Sequence, residues 1–78
     1  MPEILRLFGL KFYIYTRDHQ PPHVHVTSQD GIARFAIEDV VKLIDHAGMK
    51  QKDLKLAESI IEDNRENILN EWTKIHGQ

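Results

Sequence analysis

No cysteine occurs in this 78-residue chain, which excludes both a disulfide framework and a thiolate metal site. A reducing cytoplasm is the expected setting. No apolar run approaches the roughly 18 residues that a bilayer crossing needs, and no basic-then-apolar leader is visible, so no membrane is expected among its partners. Charge of one sign is also missing. Ten basic and twelve acidic side chains leave a formal net charge of −2 with histidine neutral, far from the basic excess of a duplex-DNA binder. Four scattered glycines do not make a strand-to-helix phosphate loop, and no Ser-His-Asp or Cys-His order can be assembled. What is present is ordinary for a globular chain: 41% hydrophobic and 28% charged residues. Residues 1–78 read as a single domain. A domain of this size buries roughly 60% of its unfolded surface, so a partner subunit would add needed stability.

The pattern divides the chain into two halves. Residues 4–44 are strand-like. Ile4–Phe8 precedes a turn glycine, Gly9, and Lys11–Arg17 alternates, with Phe12, Ile14 and Thr16 opposed to Lys11, Tyr13, Tyr15 and Arg17. His23–Thr27 alternates again, Val24 and Val26 against the two histidines. Ser28-Gln29-Asp30-Gly31 reads as a hairpin connector in which Asp-Gly supplies a positive-φ position. Ala33, Phe35 and Ile37 continue the apolar side, and Val40–Ile44 fits either a fifth short strand or a helical turn. From about Met49 the period lengthens. Leu54, Ala57, Ile61, Ile68, Leu69, Trp72 and Ile75 form an apolar helical stripe that lapses at Asn64. Asp63-x-x-Glu66 resembles a capping box there, so one long helix and two shorter ones are both open. The expected fold is α+β: a small antiparallel sheet followed by one or two C-terminal helices on its apolar face.

The greatest concentration of chemistry is Asp18-His19-Gln20-Pro21-Pro22-His23-Val24-His25-Val26, which holds three of the five histidines. On a strand His23 and His25 point the same way, with Cα atoms about 6.5–7 Å apart. The outward set of the preceding strand is Lys11, Tyr13, Tyr15 and Arg17. If the two strands pair, histidines, tyrosine hydroxyls and cations share one surface. Three readings compete. In the first the surface binds or cleaves RNA without a metal: His23 and His25 act as acid and base, Arg17 offsets phosphate charge, and Lys11, Tyr13, Tyr15, Asp18 and His19 hold the substrate. In the second His19, His23 and His25, with Asp18 as a further candidate, bind zinc or another divalent metal. In the third the segment is structural, or the surface binds protein. Trp72 reads as core, and His46 and His76 as isolated residues.

Met1-Pro2-Glu3-Ile4, Phe8-Gly9-Leu10-Lys11-Phe12-Tyr13, the Asp18–Val26 string, Ala33-x-Phe35-x-Ile37-Glu38 and Asn67-Ile68-Leu69-Asn70-Glu71-Trp72 together resemble a small bacterial family, domain of unknown function 4160. The family's motif falls on Asp18, His19, Pro21, Pro22, His23 and His25. The resemblance implies one component, the toxin being one option, of a two-gene module of toxin–antitoxin type. Its partners would then be a cognate small protein from the same operon and RNA, with a homodimer also open. The Ile44–Lys50 linker departs from the leucine-proline helix start that the resemblance leads one to expect.

Overall fold

Two consecutive residues with positive φ, Phe8 at 53° and Gly9 at 80°, close the first hairpin. Such two-residue turns match the right-handed twist of the strands they join. The computed structural model describes residues 3–76. Its elements are β1 (Glu3–Leu7), β2 (Leu10–Tyr13), β3 (His23–Thr27), β4 (Ile32–Ala36), β5 (Lys42–Ala47), α1 (Gln51–Asp63) and α2 (Arg65–His76). The strands form one antiparallel sheet in sequence order, with β1 and β5 at its edges. Two C-terminal helices follow, as an α+β fold requires. Among the described residues no helix is long and apolar enough to cross a membrane.

Alternation along the inner strands sends Leu10, Phe12, Val24, Val26, Ala33 and Phe35 to one side, all buried. Leu54, Ala57, Ile60 and Ile61 of α1, with Ile68 and Trp72 of α2, join them in one continuous cluster. Burying a phenylalanine such as Phe12 or Phe35 is worth roughly 1.5–3 kcal/mol, so this cluster is the main favourable contribution to the fold.

Three local expectations are corrected and one open alternative is decided. The alternation of Lys11–Arg17 does not continue as strand, because β2 stops at Tyr13. The Asp18 carboxylate accepts the Tyr15 N–H at 3.0 Å and the Asp18 N–H donates to the Tyr15 carbonyl at 3.1 Å, closing a turn. Of the two readings of Val40–Ile44 the fifth strand holds: β5 begins at Lys42, runs past the expected limit to Ala47, and leaves Val40 exposed. Gly31 does not adopt positive φ. Its lack of a side chain is needed for space, since a Cβ there would collide with the Ala47 carbonyl and the backbone of Gly48 and Met49. The capping box at Asp63 does not start the second helix, because Asp63 ends α1. The break falls at Asn64, where the apolar stripe lapses, so the two-helix reading holds. The Asn64 N–H donates to the Ile60 and Ile61 carbonyls, its side-chain amide donates to Ile60 at 2.8 Å, and its carbonyl accepts the Ile68 N–H. One residue thus closes α1 and opens α2.

Candidate functional site

Directly opposed residues in antiparallel strands project from the same face. Glu3, Tyr13, His25, Arg34 and Asp45 are opposed in succession across all five strands, so one row of polar groups crosses the side of the sheet away from the core. His23 lies two residues before His25 and shares its side. Arg34 completes the row as an ion pair with Asp45, at 3.0 and 2.6 Å.

The turn after β2 brings Asp18 back to this row. Both Asp18 carboxylate oxygens lie 3.1 Å from His25 Nε2, and Oδ1 lies 3.4 Å from His23 Nε2. His23 Nδ1 stands 3.0 Å from the Pro21 carbonyl oxygen. A carbonyl only accepts, so Nδ1 carries a proton and donates to it, which leaves Nε2 facing Asp18. The side chains of Asp18, His23 and His25 are between 11% and 19% exposed, which makes this a sheltered group at the edge of a cleft. Burial pushes the Asp18 carboxyl up. The Tyr15 N–H, the His25 hydrogen bond and the charges of His25 and His23 outweigh that push, so its pKa falls below the ordinary value.

Rings continue outward from this group on both sides. Tyr15 lies 4.3 Å from His25, and Tyr13 lies 6.2 Å from Tyr15. His25 lies 5.1 Å from His23, His23 lies 5.4 Å from Trp72, and Trp72 stacks on His76 at 3.9 Å. Six rings thus run from β2 to the last turn of α2. On one side of the Asp18 group a cleft of about 410 Å³ is lined by Tyr15, His25, Arg34, Asp45 and His46. On the other side a cleft of about 300 Å³ is lined by Arg17, His19, His23, Arg34 and Ile44.

The sequence-predicted residues therefore separate. Tyr13, Tyr15, Asp18, His23 and His25 come together. Arg17 and His19 are exposed and border the second cleft, and His19 is not part of the Asp18–His23–His25 group. Lys11 lies on the same sheet face but opposite Thr27, beside a separate depression near Gly9 and Ser28. Arg34, Asp45 and the linking role of Trp72 are not evident from spacing alone. Arg34 was within reach, because a hairpin that sets Thr27 opposite Ile32 puts Arg34 opposite His25 by counting. His46, isolated in sequence, borders the first cleft.

A family model described as a domain of unknown function, DUF4160, matches residues 9–73. The chain belongs to the DUF4160 family. The match covers every residue of the Asp18–His23–His25 group, all of β2 to β5, and Trp72, so the site is built from DUF4160 sequence. No curated protein and no solved structure matches the chain.

Proposed function

We propose that the open sheet face engages single-stranded RNA, and that the protein is one component of a cytoplasmic two-protein module of toxin–antitoxin type. The observation that carries this reading is the 410 Å³ cleft in which Tyr15, His25 and His46 adjoin the Arg34 guanidinium. Rings of this kind accept unstacked bases at about 1–3 kcal/mol per base, and a guanidinium pairs with a phosphate bidentately. Arg34 is tied to Asp45, but both side chains are about half exposed, and such pairs contribute little, so a phosphate competes for Arg34 at small cost. In the catalytic form of this reading, His25 accepts the proton of a ribose 2′-hydroxyl while Asp18 steadies its ring. The 2′-oxygen attacks phosphorus, His23 protonates the departing 5′-oxygen, and Arg17 offsets the phosphate charge.

Fluorescence anisotropy with a labelled single-stranded RNA tests binding. Micromolar, salt-sensitive association is expected, weakened about tenfold or more by Tyr15→Ala or Arg34→Gln. Absence of binding, or binding indifferent to both substitutions, overturns the reading. Unchanged RNA decay and cell toxicity in the His23→Ala, His25→Ala double variant would remove the catalytic form alone.

A protein partner is favoured by a separate observation. Strand β5 is an exposed edge, and Leu43 and Ile44 on it are 38% and 46% exposed, with Val40 just before it at 68% and Ile32, at the start of the neighbouring β4, at 57%. An edge of this kind offers unpaired backbone groups for strand addition. Co-expression with the cognate small protein should give a stoichiometric complex that Ile44→Lys disrupts while His25→Ala leaves it intact. A doubled mass without the second protein would show a homodimer instead.

A further inference from the structure

We propose that Asp18, His23 and His25 form a mononuclear site for a first-row divalent cation of the zinc type. At least one coordination position faces the cleft lined by Arg17 and His19. This goes beyond RNA engagement and stands without it.

The spacing of the donors is the first ground. One ligand atom from each of the three residues lies within 4.8 Å of the others, and both Nε2 atoms approach the same oxygen, Asp18 Oδ1, at 3.1 and 3.4 Å. A cation about 2.0–2.2 Å from each of its nitrogen and oxygen ligands sets neighbouring ligands about 3.0–3.5 Å apart. Two edges of the group, from Asp18 Oδ1 to each Nε2, already fall in or near that range.

The second ground is the orientation of His23. Its Nδ1 donates to the Pro21 carbonyl at 3.0 Å, which turns Nε2 toward Asp18 Oδ1 at 3.4 Å. A cation between Nε2 and Oδ1 would be held by both. The Pro21 carbonyl then acts as the outer partner that sets the ring's orientation and raises its basicity, and the Tyr15 N–H holds the other Asp18 oxygen in the same way. His25 needs only to release or relocate the proton on Nε2 when the cation arrives.

The donor set narrows the ion. Two imidazoles and one carboxylate, without sulfur, suit zinc, nickel or iron(II) rather than calcium or magnesium, which take mostly oxygen ligands. Three protein ligands leave the fourth position open, as in catalytic rather than structural sites. The 300 Å³ cleft containing Arg17, His19 and His23 is where that position opens, beside a guanidinium suited to an anionic ligand of the metal. His19 lies outside the converging group, so the proposed site differs from the His19, His23, His25 set expected from the motif.

Tag-free protein, stripped with chelator, is titrated with Zn²⁺ by calorimetry and by competition with a chromophoric chelator, with Ca²⁺ as control. One equivalent of Zn²⁺ is expected to bind, Ca²⁺ to give no comparable heat, and the His23 and His25 ring resonances to move together. Asp18→Asn and His25→Ala, shown by circular dichroism to be folded, should weaken Zn²⁺ about a hundredfold or more. His23→Gln serves as a third variant that keeps more of the buried volume. His19→Ala should bind Zn²⁺ as the parent does. Three results would overturn the site: sub-stoichiometric binding, unmoved His23 and His25 resonances, or affinity lost in His19→Ala but kept in Asp18→Asn. None of these readouts uses RNA, so failure of RNA binding and failure of the metal site are told apart.

Discussion

The indole of Trp72 packs against the imidazole of His23, ring centroid to ring centroid 5.4 Å, so the last helix bears directly on the Asp18 group. Trp72 is 4% exposed and belongs to the same hydrophobic cluster as Phe12 and Val24. Core packing and site geometry are therefore coupled through one side chain.

Replacing that side chain should affect both. Trp72→Ala is expected to destabilise the fold by about 3–5 kcal/mol, as truncation of a buried aromatic residue does. Trp72→Phe keeps a ring in place and should cost less while still shifting the His23 resonances. Denaturant unfolding and histidine ring spectra measure the two effects separately. A His23 spectrum unaffected in Trp72→Phe would contradict the coupling.

Gly31 faces the Ala47 carbonyl and the backbone of Gly48 and Met49 at a distance that no Cβ tolerates. Because those neighbours are backbone, relief requires the β3–β4 hairpin to move away from the chain leading into α1. Gly31→Ala is accordingly expected to destabilise by about 1–3 kcal/mol, in the range of overpacked sites. Gly9→Ala has open space around it and suffers only from its positive φ of 80°. Thermal unfolding of the two variants should rank Gly31→Ala as the more damaging.

Phe8 holds a φ of 53° while 76% exposed, so it has the strain of a left-handed conformation without much burial to offset it. Asparagine tolerates that conformation better than other non-glycine residues. Phe8→Asn should raise stability by up to about 1 kcal/mol, the order of the left-handed penalty. A loss of stability would mean that the Phe8 ring makes a contact worth more than the strain.

The Arg34–Asp45 pair has a defined pH signature. The hydrogen bond from Arg34, aided by its charge, holds the Asp45 carboxyl below its ordinary value. A carboxyl with a lower pKa folded than unfolded stabilises the fold above its unfolded pKa. That contribution is lost as the pH falls through the folded value. The window is therefore acidic, below about pH 4. A carbon-detected titration should place the Asp45 midpoint below that of an unpaired aspartate, and Arg34→Gln should return it upward. Because both side chains are exposed, the change in overall stability should be small.

Much of this architecture was legible before any coordinates. Two-residue alternation around Phe12, Val24, Val26 and Phe35 marked the buried face, and the longer period of Leu54, Ala57, Ile61, Ile68 and Trp72 marked the helices. Both are local consequences of strand and helix geometry. The shared face of His23 and His25 follows from the same rule. Where alternation misled was Lys11–Arg17, since a hydrogen bond from Tyr15 N–H to the Asp18 carboxylate ends the strand earlier than polarity suggests.

The sequence by itself determined the fold class, the buried stripe and the histidine segment, because each depends on neighbours within a few residues. Only the tertiary structure decided which groups meet. Asp18 reaches His25 because a turn folds it back, Arg34 reaches Asp45 because β4 and β5 pair in one register, and Trp72 reaches His23 because α2 closes over the sheet. Those meetings depend on strand register and helix docking, which are set by the burial of the whole core rather than by any local pattern. That is why Asp18, and not the adjacent His19, stands with His23 and His25.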